Sequence, residues 1–224
     1  MPRRLRQGLG GQVCHVLNRS VRGQTIFATD LDYEAFEEAL AEAWRRHPVP
    51  ILEYSVLPNH WHFVLWPKAD RDLSRFMHWL TMTHTERHNA FHGHTGGGPI
   101  YQGRFKSFPV QHDEHFLTVV RYVQRNPVRA GLADRAEKWR WGSAWHRLHS
   151  QGGLLPLLAD WPVPRPQRWI EWLNAPQTDR ELEAVRASLQ RGRPFGAPEW
   201  QARTARHLGL EATLRPRGRP KQRP

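Results

Sequence analysis

The stretch Leu57-Pro58-Asn59-His60-Trp61-His62-Phe63-Val64-Leu65-Trp66-Pro67 decides how this chain is read. The apolar run from His60 to Trp66 predicts a strand, and Ile51 to Leu57 predicts another. Pro58-Asn59 supplies a tight turn between them, so the two form an antiparallel hairpin. Side chains alternate across a strand, which puts His60 and His62 on one face and Trp61, Phe63 and Leu65 on the other. Two imidazoles side by side on a rigid element supply half of a divalent-metal site.

Upstream of the hairpin, Gln12 to Asn18 alternates as a strand, with Val13, His15 and Leu17 on one face and Cys14 and Val16 on the other. Asp30 is placed to cap a helix that runs to about Arg46 on a stripe of Phe36, Leu40 and Trp44, and Pro48 and Pro50 end it. Downstream, a helix is expected from Leu73 to Phe91, then a glycine-rich loop from Gly93 to Pro99 and a fourth strand from Arg104 to Gln111. Asp113 then caps a helix carrying Tyr122, which Pro127 stops. This order gives an α+β fold, an antiparallel sheet with packed helices.

In the last of these helices Phe116, Val119, Val120 and Val123 follow the i, i+3, i+4, i+7 rule and form its buried stripe. At about 100° per residue, Tyr122 lies roughly 110° and Asn126 roughly 70° from the stripe centre, at its margins. From there a side chain can lean over a sheet and still be reached by substrate. Tyr122 is thus a candidate nucleophile and Asn126 a candidate third metal ligand. Beside the histidine pair they point to a metal-assisted tyrosine nuclease. The bland alternative is a boundary tyrosine with a hydrogen-bonded hydroxyl and an asparagine that serves the Asn-Pro helix stop.

Other histidine patterns are weaker. A His-x-His-x-Asp-His metallohydrolase needs an aspartate near Val64, where the chain reads Phe63-Val64-Leu65. His84, His88 and His92 have i, i+4, i+8 spacing, but a flexible loop follows and Glu86 is the sole carboxylate partner nearby, so they read as a solvated helix face.

The 33 basic and 21 acidic residues leave a net charge of +12, with a pI near 11.0. That is an electrostatic footprint for nucleic acid. No long apolar span or basic amphipathic helix favours a membrane instead. Arg3, Arg4 and Arg6 are not followed by a signal-peptide core, so a cytoplasmic protein is expected. Cys14 is the single cysteine, which leaves no disulfide framework and no multi-cysteine zinc site; it reads as a small core residue. A boundary is expected near Ser150, because Pro156, Pro162, Pro164 and Pro166 follow it and the chain then turns basic. Residues 1–150 would form one domain and residues 151–224 a Pro-rich, basic extension. From Arg191 onward nine Lys or Arg face Glu199 and Glu211, a local charge of +7. Arg217-Gly218-Arg219-Pro220-Lys221 matches an AT-hook core, for which minor-groove reading and unspecific clamping by a disordered basic tail are both open. The earlier Arg191-Gly192-Arg193-Pro194 reads as a structured turn before a short helix, Pro198 to His207, stopped at Gly209.

Three segments in order carry a resemblance. These are Pro58-Asn59-His60-Trp61-His62, Tyr101-Gln102-Gly103-Arg104-Phe105-Lys106-Ser107, and Tyr122-Val123-Gln124-Arg125-Asn126-Pro127-Val128-Arg129-Ala130-Gly131-Leu132. The chain resembles the single-tyrosine HUH transposases, in which U is a bulky apolar residue. Trp139-Arg140-Trp141-Gly142-Ser143 is similar to a stretch that follows in that family, with Gly142 departing from a common serine pair. The end, Leu214-Arg215-Pro216-Arg217-Gly218-Arg219-Pro220, is similar to that of the REP-associated tyrosine transposases, bacterial proteins encoded beside short palindromic repeats.

The resemblance implies a ferredoxin- or RRM-like HUH nuclease fold. His60, His62 and Asn126 would bind Mg²⁺ or Mn²⁺, and Tyr122 would attack a scissile phosphate to give a 5′-phosphotyrosine and a free 3′-OH. The partner implied is single-stranded or hairpin DNA of repetitive palindromes, with no small-molecule cofactor and no membrane, and the REP-associated group favours a monomer over a homodimer. Arg104 and Lys106 would contact phosphate, and Arg215, Arg217, Arg219 and Lys221 would bind DNA through the tail. Phosphotyrosine exchange with a DNA hydroxyl is near energy-neutral, in keeping with a chain that has no P-loop sequence. Two rivals stay open: a non-catalytic hairpin-binding protein with the same fold, and an HUH replication-initiator or relaxase-type nuclease.

Overall fold

The expected hairpin is present, and a third strand completes its pairing. In the computed structural model, which describes residues 8–149 and 158–215, β1 (Val13–Arg19) lies between β3 (His60–Leu65) and β4 (Lys106–Val110), and β2 (Ile51–Leu57) pairs with the outer side of β3. The order is β2-β3-β1-β4 with every pair antiparallel. Leu17 sits opposite His62 on one side and Lys106 on the other, and Arg19 sits opposite His60. Arg19, His60, His62 and Lys106 therefore mark one end of one sheet face.

Helices cover both faces. α1 (Asp30–Arg46) and α2 (Asp72–Phe91) pack together over the face that carries Cys14, Val16, Trp61, Phe63 and Leu65. Phe36, Leu40, Phe76 and Leu80 are fully buried there, each stabilising by about 1.5–3 kcal/mol. The cap of α1 differs from the expectation at Asp30. Thr29 is the extended residue at the N-cap, Asp30 is already helical, and the Asp32 carboxylate reaches back to the Thr29 backbone N–H at 2.8 Å.

The opposite face carries α3 (Glu114–Gln124), whose stripe of Phe116, Val119, Val120 and Val123 packs with Val13, Val64, Phe108 and Val110. The Asp113 carboxylate accepts from the His115 N–H at 2.9 Å, so this cap is as expected. The helix does not run on to Pro127. It ends at Gln124, Arg125 adopts φ −83°, ψ 0°, and a new turn, α4 (Asn126–Arg129), begins with Pro127 in its first turn, where no backbone donor is needed. Tyr122 and Asn126 thus belong to two helical pieces and not to one helix face.

Beyond α4, the Trp139–Ser143 segment lines the free edge of β2. Trp141 O accepts from Val56 N at 2.9 Å, and Trp139 Nε1 donates to Val56 O at 2.8 Å. Gly142 needs no glycine for space, since an added Cβ would meet nothing nearer than 3.5 Å. After α5 (Ser143–His149), residues from 158 onward pack on the same body. Ala159 N donates to Ile51 O at 2.9 Å, α6 (Trp169–Asn174) and α7 (Asp179–Arg191) lie against α3, and Phe195 bonds to Pro109 and Gln111 along the edge of β4. Both sheet edges are thereby covered. Gly192 ends α7 at φ 67°, as the Arg-Gly-Arg-Pro turn predicts, and Gly209 ends α8 (Pro198–Leu208) at φ 65°, before the short α9 (Glu211–Leu214). Arg217, Arg219, Lys221 and the Ser150 boundary lie outside the described residues. Among the described residues no helix is long and apolar enough to cross a membrane.

Candidate active site

β3 and α3 bring three of the four expected residues into one ring cluster. The His60 and His62 rings are 5.2 Å apart, and the Tyr122 ring stands edge-on to His62 at 5.8 Å. A residue not singled out from the sequence joins them. His15 of β1, fully buried, holds His62 Nδ1 through its Nε2 at 2.9 Å and meets Tyr122 edge-on at 6.2 Å. Its alternation with Val13 and Leu17 gave its face, but nothing local gave its partner.

The protonation of the cluster follows from burial. Removal from water pushes His15 down to about 3 and, with the nearby Arg19 charge, His60 down to about 4. His62 is held well below the ordinary range by burial first and then by His15, His60, Arg129 and Arg19. All three are neutral at pH 7, the form in which imidazole binds metal. At His60 the tautomer is determined as well. Asn59 Nδ2 donates to Gly23 O at 3.2 Å, which turns Asn59 Oδ1 toward His60 Nδ1 at 2.6 Å. That nitrogen must carry the proton, so the Nε2 lone pair is free. For His62 to offer its own Nε2, Nδ1 must donate to His15.

On the other side of Tyr122 stands Arg129 of α4, its guanidinium carbon 4.5 Å from the ring centre and one amino group bonded to the Tyr122 carbonyl oxygen. Burial lowers Arg129 to about 10, and it stays charged at neutral pH. This cation is a second residue missed in the sequence. Asn126, at the head of α4, is half-buried, and α4 packs against β2, the strand beside β3. Arg104 and Lys106 are exposed, and among the described residues neither is held in an ion pair. Arg215 is exposed just after α9.

Beneath α3 lies a buried anchor. The Glu53 carboxylate, 1% exposed, accepts from Gln124 Nε2 at 2.5 Å, Arg147 Nε at 3.1 Å, Trp161 Nε1 at 2.6 Å and the Ser143 hydroxyl. It joins β2, the end of α3, α5 and the chain after residue 158 in one network. Trp61 faces the α1/α2 core and donates to the Tyr101 hydroxyl at 2.9 Å. Trp141 stacks on Tyr33 at 4.6 Å and is buried as a packing residue of the α1 side.

Of the helical histidines, His84 departs from the solvated face expected of them, whereas His88 is half-buried and His92 exposed. His84 is 2% exposed, its Nδ1 lies 2.7 Å from the Tyr101 hydroxyl, and burial lowers it to about 3. The carboxylate missing from the local sequence comes from α1, where Asp32 Oδ1 meets His92 Nε2 at 2.7 Å.

Comparisons with known proteins agree with this architecture. A REP-associated tyrosine transposase of Escherichia coli (strain K12) is 28% identical over 154 residues, which cover 68% of this chain and 85% of that protein. A solved structure of a REP-associated tyrosine transposase bound to a REP hairpin shares the fold with a TM-score of 0.54 at 24% identity, over 72% of this chain and 90% of that one. The family described as "Transposase IS200 like" matches residues 12–126, from the residue before β1 to the first residue of α4. That span covers half of the chain and contains His60, His62, Tyr122 and Asn126, and on this ground the chain belongs to the IS200-like transposase family.

Proposed function

We propose that this protein is a metal-dependent DNA-nicking and strand-transfer enzyme that acts on single-stranded or hairpin DNA of repetitive palindromes through a 5′-phosphotyrosine intermediate. The observation that carries the reading is Tyr122, set between a neutral histidine cluster on the sheet and the Arg129 cation on α4. A tyrosine hydroxyl is a weak nucleophile at neutral pH and needs help to lose its proton. Arg129 stabilises the negative charge that develops on the phenolate. The phenolate oxygen then forms a bond to phosphorus, the bond from phosphorus to the 3′ oxygen breaks, and that oxygen leaves as a 3′-OH once protonated. The reverse attack by a 3′-OH rejoins the strand and frees Tyr122.

His60, His62 and Asn126 are the residues proposed to hold Mg²⁺ or Mn²⁺. Imidazole and amide donors suit Mn²⁺ well and Mg²⁺ acceptably, and when bound such an ion polarises the scissile phosphate. Arg19 and Lys106, at the exposed end of the same sheet face, and Arg104, just before β4, are proposed to hold the backbone on either side of the scissile phosphate. The likeness to a protein solved with a REP hairpin supports hairpin DNA as the substrate class. We assign DNA affinity, not chemistry, to residues 151–224, with Arg215, Arg217, Arg219 and Lys221 as the basic grip, in a bacterial cytoplasmic monomer.

The test is to incubate the protein with Mg²⁺ or Mn²⁺ and labelled hairpins from the flanks of its own gene, then to run a denaturing protein gel. A labelled covalent adduct that vanishes with EDTA and in Tyr122→Phe is the expected result. Tight binding with no adduct in either metal would replace this reading with that of a hairpin-binding protein.

A further inference from the structure

We propose that Asp32, His88 and His92 form a second metal site, for a divalent ion of the Zn²⁺ class, that clips the N-terminal turn of α1 to the last turn of α2. One ligand atom from each residue lies within 4.8 Å of the other two. His88 in the last turn of α2 and His92, which caps its C-terminus and donates its N–H to His88 O at 3.0 Å, are four apart, and their ring centroids lie 4.4 Å from each other. Asp32 Oδ1 already meets His92 Nε2 at 2.7 Å across the helix pair.

The carboxylate is built into the fold. Its side chain is 3% exposed, and Oδ2 accepts from Ala28 N at 2.9 Å, Thr29 N at 2.8 Å and Thr29 Oγ1 at 3.0 Å. Those bonds leave Oδ1 turned toward α2. A second observation points to a missing ligand. His88 Nδ1 is buried with no hydrogen-bond partner, and an unfilled buried polar atom in a native fold calls for an ion or a water.

Two imidazole nitrogens and one carboxylate oxygen favour Zn²⁺, Co²⁺ or Ni²⁺ over Mg²⁺. Three protein ligands leave a position for water. A cavity of about 430 Å³, lined by Leu31, Asp32, His88 and Phe91 among others, gives the ion a way in. This site is separate from the His60/His62 pair, because α1 and α2 cover the Trp61 face of the sheet and the pair lies on the face of α3. Its role is structural: the ion ties the helix pair together where the Gly93–Pro99 loop departs.

The experiment uses full-length protein carrying His60→Ala and His62→Ala, stripped with EDTA and dialysed. Titration with Co²⁺ is expected to give the intense visible absorption of a four- or five-coordinate site at one ion per chain. Zn²⁺ should quench that absorption and raise the melting midpoint, whereas Mg²⁺ does neither. Adding His88→Ala and His92→Ala should weaken Co²⁺ binding at least about tenfold and abolish the Zn²⁺ effect on melting. His88→Gln alone, at a half-buried position and checked by circular dichroism, serves if the multiple variant does not fold, and it too should weaken Co²⁺ binding. An unchanged Co²⁺ spectrum and affinity in whichever of these variants folds, or no Co²⁺ absorption before His88 and His92 are altered, overturns the site.

Discussion

The two faces of the sheet are built on different rules. Under α1 and α2 the interior is apolar and aromatic, with Phe36, Trp61, Phe63 and Phe76 fully buried, and the polar groups at its centre are paired: Glu37 takes the Tyr54 hydroxyl at 2.7 Å, and Tyr101 lies between Trp61 and His84. Under α3 the apolar patch fills only part of the face. The rest carries His15, Glu53, Ser55, His60 and His62, and two of its buried atoms, His15 Nδ1 and Ser55 Oγ, have no hydrogen-bond partner. Such groups cost stability, and a fold keeps them where it needs reactive side chains. The helical histidines lie at the outer end of the quiet face, so histidine content alone does not separate the faces. Position does: the α3-face histidines stand on the sheet itself, beside Tyr122.

The largest expected effect lies at Tyr122. Tyr122→Phe should reduce cleavage by at least about a thousandfold while hairpin affinity, read by gel shift, changes by less than about threefold. A variant that still forms the adduct would take the chemistry away from the α3 face.

Next in size is the anchor. Glu53→Ala leaves Arg147 buried without its carboxylate and should cost about 3–5 kcal/mol, as large as the loss from Phe36→Ala on the opposite face. Urea midpoints of the two variants, compared at equal m-value, test that equality. A loss under 1 kcal/mol for Glu53→Ala would show that the polar half of the α3 face does not hold the fold together.

His15 tests whether the polar row acts through its neighbours. His15→Phe keeps bulk but removes the partner of His62, and metal-dependent cleavage should fall by about 10–100-fold with a matching rise in the Mn²⁺ concentration needed. His15→Gln, which keeps a polar atom within reach, should recover part of this. Equal activity in both variants would reduce His15 to packing.

The last comparison is in the pH dependence of stability, where a single residue changes only the slope. His15, His60 and His84 are lowered to about 3, 4 and 3, below the ordinary imidazole value of 6.5. The unfolded chain binds more protons than the folded one below pH 6.5, so stability present above that value is lost as pH falls toward 4. Each such group contributes a slope of up to about 1.4 kcal/mol per pH unit. Melts in EDTA from pH 7 to 4.5 should show the decline, and His15→Phe should make it shallower by one group. An unchanged slope in that variant would mean that His15 is not neutral in the folded state.

Much of the fold was legible because its signals are local. Strand alternation placed His60 and His62 on one face and Trp61 on the other, and the 3.6-residue period picked out Phe116, Val119, Val120 and Val123, four of the six buried residues of α3. The break at Arg125 was not legible. Pro127 reads as a stop because its ring and missing N–H break a helix interior, yet in a first turn neither is penalised, so a new turn begins at Asn126.

By itself the sequence determined the elements, their order, the sharing of faces and the family motifs, because each depends on sterics and periodicity within a few residues. Tertiary structure alone decided which residues meet across elements. It set His15 against His62 across two paired strands, Arg129 over Tyr122 across a helix break, Glu53 under the end of α3, and Asp32 against His88 and His92 from another helix. Strand register and helix packing make those meetings, and they arise from the collective burial of apolar surface rather than from any spacing between the partners.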